Sequence, residues 1–445
     1  MYSSIYRNIV RFSSVSQQNL SRTQYCKLCS SAILEHEHQL VEDKDELPVK
    51  KRAKRRNKTD VVINEIKSYL DFSDCKKYAN SVPTRIIGKN LFPPEALYLV
   101  NPIVAGQVAE ALKNYLLENN DSVPVFEMNP GMGLVSQELI NAGVSKLNLF
   151  EPSMTFHPLL LEMLEKNQGK DVALKVDDLG NIAKLVYQDK VSNGNRVTTM
   201  LADVESRPWN DPCPVLRVVG TAPNKKFLRS LVFSIAFQTG LATRGRAEYY
   251  LIMHPKNYLQ MTCKPRDEYQ AYRYNSALFQ VMYESQLLMK LPRNDFLPWE
   301  GIRNKQKAQR YKKLRSVDPD KLYLVRLVSN PKLLDLVPAE NLQLMWYFFR
   351  VHLISKKKRV IPALEQWIPN CGPRLICQGL NIFTEFGDLH PDQMLKLFLL
   401  FSNWPEFPHC AFHTSLETSF LKSLAAEVDD DAEDEDEGAA PEKVD

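Results

Sequence analysis

The chain has 445 residues, 44% of them hydrophobic, and a formal net charge of +4. That length buries a large core and allows two or three domains. No stretch approaches the ~18 uninterrupted apolar residues of a membrane span, since the strongest candidate, Leu342 to Phe349, is too short and carries polar residues, so no membrane partner is expected. The small net charge conceals an asymmetry, because residues 427–445 hold eleven acids against one lysine, a tail of −10 that leaves +14 for the remainder. A body that basic suits a polyanionic partner. The tail reads as a disordered, solvated segment that either competes with nucleic acid for that surface or serves solubility alone. Eight cysteines scattered through so long a chain make no disulfide framework and point to a reducing compartment.

In chain order, the first acid is Glu35, and before it stand Arg7, Arg11, Arg22 and Lys27 with eight serines. Tyr2, Ile5, Ile9 and Phe12 share one helical face and Arg7 with Arg11 the opposite one, the amphipathic pattern of a mitochondrial transit peptide over 1–35. The matrix is the expected destination. Cys26 and Cys29 with His36 and His38 suggest zinc only superficially, because a second Cys pair is missing and the spacing to the histidines is short. Residues 50–58, KKRAKRRNK, carry seven cations. Downstream of a transit peptide they read as a nucleic-acid-binding arm within a charged, largely disordered stretch over 36–92, and not as a nuclear address.

From about residue 95 apolar strand runs alternate with helical periods. Asn101-Pro102 predicts a helix N-terminus and a helix to about Leu117. A strand follows at Val123 to Met128, then a glycine-containing turn, a helix to Ala142 stopped by Gly143, and a strand at Leu147 to Phe150. Further strands are predicted at Ala173 to Val176, Val215 to Val219 and Ala247 to Met253. Strands separated by helices imply an α/β fold with a mostly parallel sheet covered on both faces. The first turn reads Glu127-Met128-Asn129-Pro130-Gly131-Met132-Gly133, and Glu151 closes the next strand. Two glycines permit close backbone approach to a ligand, and an acid at the end of the second strand accepts hydrogen bonds from ribose hydroxyls. With Asp177 after the third strand, this is the layout of a nucleoside pocket.

The segments FEMNPGMGLVSQELINAG, LFEPS, LKVDD, VVGTAPNK, YNSALFQVMYESQLLMKLPRNDFLPW, KLYLVRLV and KKKRVIPALEQW occur in the order of the motifs of the S-adenosylmethionine-dependent rRNA adenine dimethyltransferases. The chain resembles that family from about residue 93 to 425. The resemblance implies a Rossmann-like S-adenosylmethionine-dependent methyltransferase domain over 93–317, a small helical C-terminal domain over 318–426, and the acidic tail at 427–445. It places Glu127, Gly131 and Gly133 against the methionine part of S-adenosylmethionine, Glu151 on its ribose and Asp177 at its adenine edge, with Leu99 and Val100 closing the pocket.

At the fourth-strand turn the family carries Asn, Leu or Ile, Pro, then Tyr or Phe, a set that holds the target amine and stacks on the flipped adenine. This chain has Thr221, Ala222, Pro223 and Asn224 there. Threonine has no planar carbonyl to align an amine, and Asn224 has no stacking face, a contact worth about 1–3 kcal/mol per base. Efficient adenine dimethylation is therefore not expected. A degenerate target turn beside a kept cofactor turn, together with the transit peptide and basic body, resembles the second paralogue group of the mitochondrial transcription factor B branch. That likeness implies a role in transcription initiation with mitochondrial RNA polymerase, at promoter DNA that also binds an HMG-box factor A. The alternatives are methylation of small-subunit rRNA and a structural role in ribosome assembly that uses the same groove.

Candidate phosphate contacts are Lys225, Lys226 and Arg229 beside the turn, Arg244 and Arg246, and the run that includes Arg310, Lys312 and Lys313. Residues 318–425 read as helical, and the aromatic segment Leu344 to Phe349 reads as helix core, because its apolar density exceeds one face.

Overall fold

The computed structural model describes residues 96–418 apart from 120–121, 223–224, 267–268, 270, 299–317 and 319, together with Ser68. The segments expected to form a transit peptide and a basic arm, with Cys26, Cys29, His36 and His38, the cations Arg310, Lys312 and Lys313, and the acidic tail lie outside the described residues, Ser68 excepted, as do Pro223 and Asn224.

The two-residue strand β1 (Tyr98–Leu99) leads into α1 (Pro102–Leu117). The cap expected from Asn101-Pro102 is present: Asn101 is extended, its side-chain oxygen accepts the Ile103 N–H at 3.0 Å, and Pro102 supplies a pre-set φ where a missing N–H costs nothing. Strand β2 (Val125–Met128) turns into α2 (Leu134–Ala142), which Gly143 ends in the left-handed region. Then come β3 (Lys146–Phe150), α3 (His157–Lys166) and β4 (Asp171–Lys175), the last two residues earlier at its start than the sequence suggests. Val176 lies past its end and is exposed. Helices α4 (Ile182–Ser192) and α5 (Arg196–Met200) precede β5 (Leu216–Thr221), α6 (Lys225–Phe237) and β6 (Ala247–Met253). Next are α7 (Pro255–Thr262), α8 (Tyr274–Met282), β7 (Tyr283–Pro292), β8 (Phe296–Leu297) and β9 (Lys321–Ser329). Helices α9 (Leu333–Leu336), α10 (Leu342–Ile354), α11 (Val360–Glu365), α12 (Gly372–Cys377) and α13 (Pro391–Ser402) follow, with further helical residues at 412–418.

Seven strands form one sheet in the order β4-β3-β2-β5-β6-β9-β7. The first five are parallel, and β9 runs antiparallel to both β6 and β7. The chain therefore fills the sheet outward in both directions from β2 and β5, and the crevice above their carboxyl ends is the switch point where such folds bind ligands. Strand β9 corrects the reading of 318–425 as helical throughout. Its residues Leu322 to Val325 are buried in succession because neighbouring strands and both covering layers enclose it, so no two-residue alternation marks it in the sequence.

Both faces are covered by apolar side chains. On one, Val125, Leu147, Leu149, Val219, Tyr250 and Ile252 pack with α1, α2 and α3. On the other, Phe126, Phe150, Val218, Tyr249 and Leu251 pack with α6, α8 and α10. That second core continues through Phe348 and Phe349 to Phe398 and Phe401 of α13, so the aromatic segment of α10 is interior, as its apolar density implies. Each fully buried phenylalanine contributes roughly 1.5–3 kcal/mol by leaving water.

Candidate nucleoside site and the adjoining fourth turn

The turn after β2 is held by left-handed residues. Asn129 has φ +55°, in the place where the dimethyltransferase pattern has its first glycine, and Gly131 and Gly133 have φ +59° and +74°. Asparagine tolerates that region better than other side chains, so the replacement keeps the path of the chain. Gly133 is the residue from which α2 starts.

Two acids converge beneath this turn. Glu151, which follows β3, is fully buried; one of its carboxylate oxygens accepts the Gly131 N–H at 2.9 Å and the other the Ser153 N–H at 2.8 Å. Its carbonyl oxygen lies 2.8 Å from Nε2 of the buried His157. Desolvation outweighs the two N–H donors and pushes the Glu151 carboxyl up to about 7. Glu127 on β2 is 3% exposed, and burial raises its carboxyl likewise to about 7, with the nearby Ser136 hydroxyl pulling down and the Glu151 charge pushing up. Glu127 Oε2 and the Ser136 hydroxyl are both buried with no hydrogen-bond partner among the described residues. A buried, unsatisfied carboxylate oxygen in a crevice is the mark of a group awaiting a ligand donor.

Tyr98 covers the turn. A Cβ on Gly131 would come within 2.6 Å of Tyr98 Cδ1, so the ring rests directly on the glycine, and it also meets Phe156 with ring centroids 4.6 Å apart. Val100 is a core residue whose N–H is bonded to the Asp295 carbonyl at 2.9 Å. Asp177 is exposed beyond β4, whereas its neighbour Asp178 is the carboxylate that acts on Glu151. The structure thus brings Glu127, Gly131, Gly133 and Glu151 together. Tyr98, His157 and Asp178 belong with them and escape the sequence reading, although each stands within a few residues of a position that reading selects.

The fourth turn is tied inward. Thr221 ends β5, is 6% exposed, and donates its hydroxyl to the Leu97 carbonyl at 3.0 Å. Ala222 is buried and donates its N–H to the Ile252 carbonyl at 2.8 Å. Outside it, Lys226 and Arg229 are exposed on α6 and Lys225 is half-buried, while neither α6 nor α7 carries an acid in its first turn. Lys256, at the start of α7, is brought down to about 8, first by burial and then by the charge of Lys225. Its signal in the sequence is positional: β5 and β6 are parallel neighbours, so the helices that follow them begin side by side.

The two remaining arginines differ. Arg244 is half-buried, donates to the Ser206 hydroxyl at 3.4 Å, and lines a cleft of about 260 Å³ with Val197, Thr198, Leu201 and Thr243. Arg246, expected to contact phosphate, is instead a buttress of the fold. It is 7% exposed and its guanidinium donates to the carbonyls of Trp209 (2.7 Å), Ser329 (3.3 Å), Pro212 (3.3 Å) and Asp211. A side chain committed to four main-chain acceptors does not reach a strand in solution.

A doubly wound sheet of this order, with a left-handed glycine turn above β2 and an acid ending β3, defines a methyltransferase-type α/β fold. Residues 95–403 match the family model described as ribosomal RNA adenine dimethylase, and the chain belongs to that family. It is 31% identical over 396 residues to "Dimethyladenosine transferase 2, mitochondrial" of Drosophila melanogaster, covering 80% of this chain and 87% of that protein. It is 26% identical over 306 residues to the Homo sapiens protein of the same name, covering 66% and 75%. Among solved structures it is similar to a dimethyladenosine transferase from Plasmodium falciparum, with a TM-score of 0.41 and 12% identity over 68% of this chain and 97% of that one.

The family implies binding of S-adenosylmethionine. The residues fit that group in kind: Glu127 offers an unsatisfied acceptor, and the glycines of the left-handed turn carry no side chain between a ligand and the main chain. Their arrangement is closed, with the Tyr98 ring on Gly131 and Glu151 wholly out of solvent.

Proposed function

We propose that the protein is a mitochondrial transcription initiation factor on a dimethyltransferase scaffold, which acts with the mitochondrial RNA polymerase in promoter melting and holds single-stranded DNA in the matrix nucleoid. The observation that carries the reading is the Thr221 hydroxyl bonded to the Leu97 carbonyl at 3.0 Å. The side chain at the head of the target turn serves the fold, and the N–H of the neighbouring Ala222 is taken by the Ile252 carbonyl. The cationic edge of Lys225, Lys226 and Arg229 suits a sugar–phosphate backbone, so binding of a strand outlives chemistry on its bases. Support for the mitochondrial setting comes from the names of the relatives. An HMG-box factor A on the same promoter is the partner this role requires.

A second reading, dimethylation of adenine in the small-subunit rRNA, draws on the kept turn. There Glu127, Gly131, Gly133 and Glu151 would hold S-adenosylmethionine, which would supply the methyl group. One experiment separates the two: promoter-dependent RNA synthesis by the mitochondrial polymerase on linear template, with and without the protein, beside methyl transfer to the rRNA hairpin. Stimulated initiation with little methyl transfer is expected. Robust methylation with no effect on initiation overturns the first reading in favour of the second.

A further inference from the structure

We infer that Tyr98 is a built-in plug of the nucleoside site, a residue whose position decides whether a nucleoside ligand enters. The slot left by the missing side chain of Gly131 is the opening through which a ligand approaches the main chain of such a turn. Here the slot is filled from within the chain, by a ring whose Cδ1 lies 2.6 Å from where a Cβ would stand. The plug is held on three sides. Phe156, itself buried, meets the ring at 4.6 Å. The strand carrying Tyr98 pairs with Leu297 and Phe296 of β8. One residue before the ring, the Leu97 carbonyl is fastened by Thr221.

The last contact joins the two turns. The residue that no longer resembles a target clamp is the one that secures the segment closing the cofactor turn, so degeneration of the second site and closure of the first have one structural basis. The polar floor agrees with a closed state: both Glu151 oxygens accept main-chain N–H groups. A ligand must first displace the ring, and its apparent affinity is reduced by the fraction of molecules in which the ring is out. For an aromatic side chain that gives up its packing, the reduction is about ten- to a hundredfold.

The inference rests on reading the turn as a nucleoside pocket and is independent of the role in initiation. Equilibrium dialysis of the full chain with labelled S-adenosylmethionine and, separately, S-adenosylhomocysteine tests it without reference to activity. Tyr98→Ala is expected to bind at least about tenfold more tightly than the unaltered chain, and Tyr98→Phe to match it, because the ring and not its hydroxyl fills the slot. Where Tyr98→Ala loses its fold by circular dichroism, Tyr98→Leu keeps an apolar strand residue and serves in its place. Equal affinity of the unaltered chain and either opened variant, or tighter binding by the unaltered chain, overturns the plug. Failure of the initiation assay with the tenfold gain intact overturns the transcription role alone.

Discussion

The turns after β2 and after β5 lie side by side at the carboxyl edge of the sheet, and they have diverged in opposite ways. The first keeps its chemistry in place, with two acids, left-handed residues and an unsatisfied oxygen, but Tyr98 and the burial of Glu151 hold it shut. The second has lost the side chains that face a base, its one hydroxyl is bonded to the main chain, and its outer margin presents Lys226 and Arg229 to solvent. Reactive geometry needs several groups placed together and fails when one is diverted, whereas attraction for a polyanion sums over charges and survives the loss of any one. Under the proposed function, the cationic margin is the part of such a scaffold that outlasts its catalysis.

The comparison breaks most readily at Gly131. Gly131→Ala places a Cβ against the Tyr98 ring and imposes a side chain at φ +59°, so a loss of about 2–4 kcal/mol is expected in urea unfolding. A near-neutral result means that the ring moves aside freely and the first turn is open.

Next in size is the cost of the two buried acids. The folded carboxyl of Glu127 titrates near 7 against an ordinary 4.5, and Glu151 does the same. Between those values the folded state holds protons that the unfolded state releases, so stability is fully present below about 4.5 and is lost as pH rises through about 7. Glu127→Gln removes one such group and is expected to stabilise the chain by about 1–3 kcal/mol at pH 8 with little change at pH 5. Thermal unfolding across that range checks it, and an unchanged profile means the carboxylate has a partner at pH 8.

At the second turn, Thr221→Val deletes a buried hydroxyl and leaves the Leu97 carbonyl unsatisfied, for an expected loss of about 1–2 kcal/mol with methyl transfer to rRNA unaltered. Methylation that falls while stability holds would place Thr221 in catalysis. The smallest effect belongs to the exposed cations. Lys226→Ala and Arg229→Ala are each expected to lower the salt slope of single-stranded DNA binding by about 0.7 and to change stability by less than about 0.5 kcal/mol. An unchanged slope means that the strand lies elsewhere.

Much of the fold was legible locally. The Asn101-Pro102 cap and the stop at Gly143 rest on interactions within a few residues, and the strand Ala247–Met253 is marked by its own run of apolar and aromatic residues, although its pairing partners are distant. Strand β4 begins outside its apolar run because an edge strand is completed by main-chain pairing with β3 and needs little from its side chains. Strand β9 was hidden for the opposite reason, being too apolar on both faces to alternate. At the site, Glu127, Gly131, Gly133 and Glu151 were visible because turn chemistry and spacing mark them.

By itself, the sequence determined the order of elements, the acid and glycine positions and the loss of the target turn's side chains, since each depends on residue type and near neighbours. Only the tertiary structure decided what those residues do. Leu97 and Thr221 are 124 positions apart, and Arg246 gathers carbonyls from Trp209 to Ser329. Whether a polar side chain faces a ligand, a phosphate or the protein's own main chain depends on which distant backbone groups folding leaves unsatisfied beside it, and no local pattern encodes that.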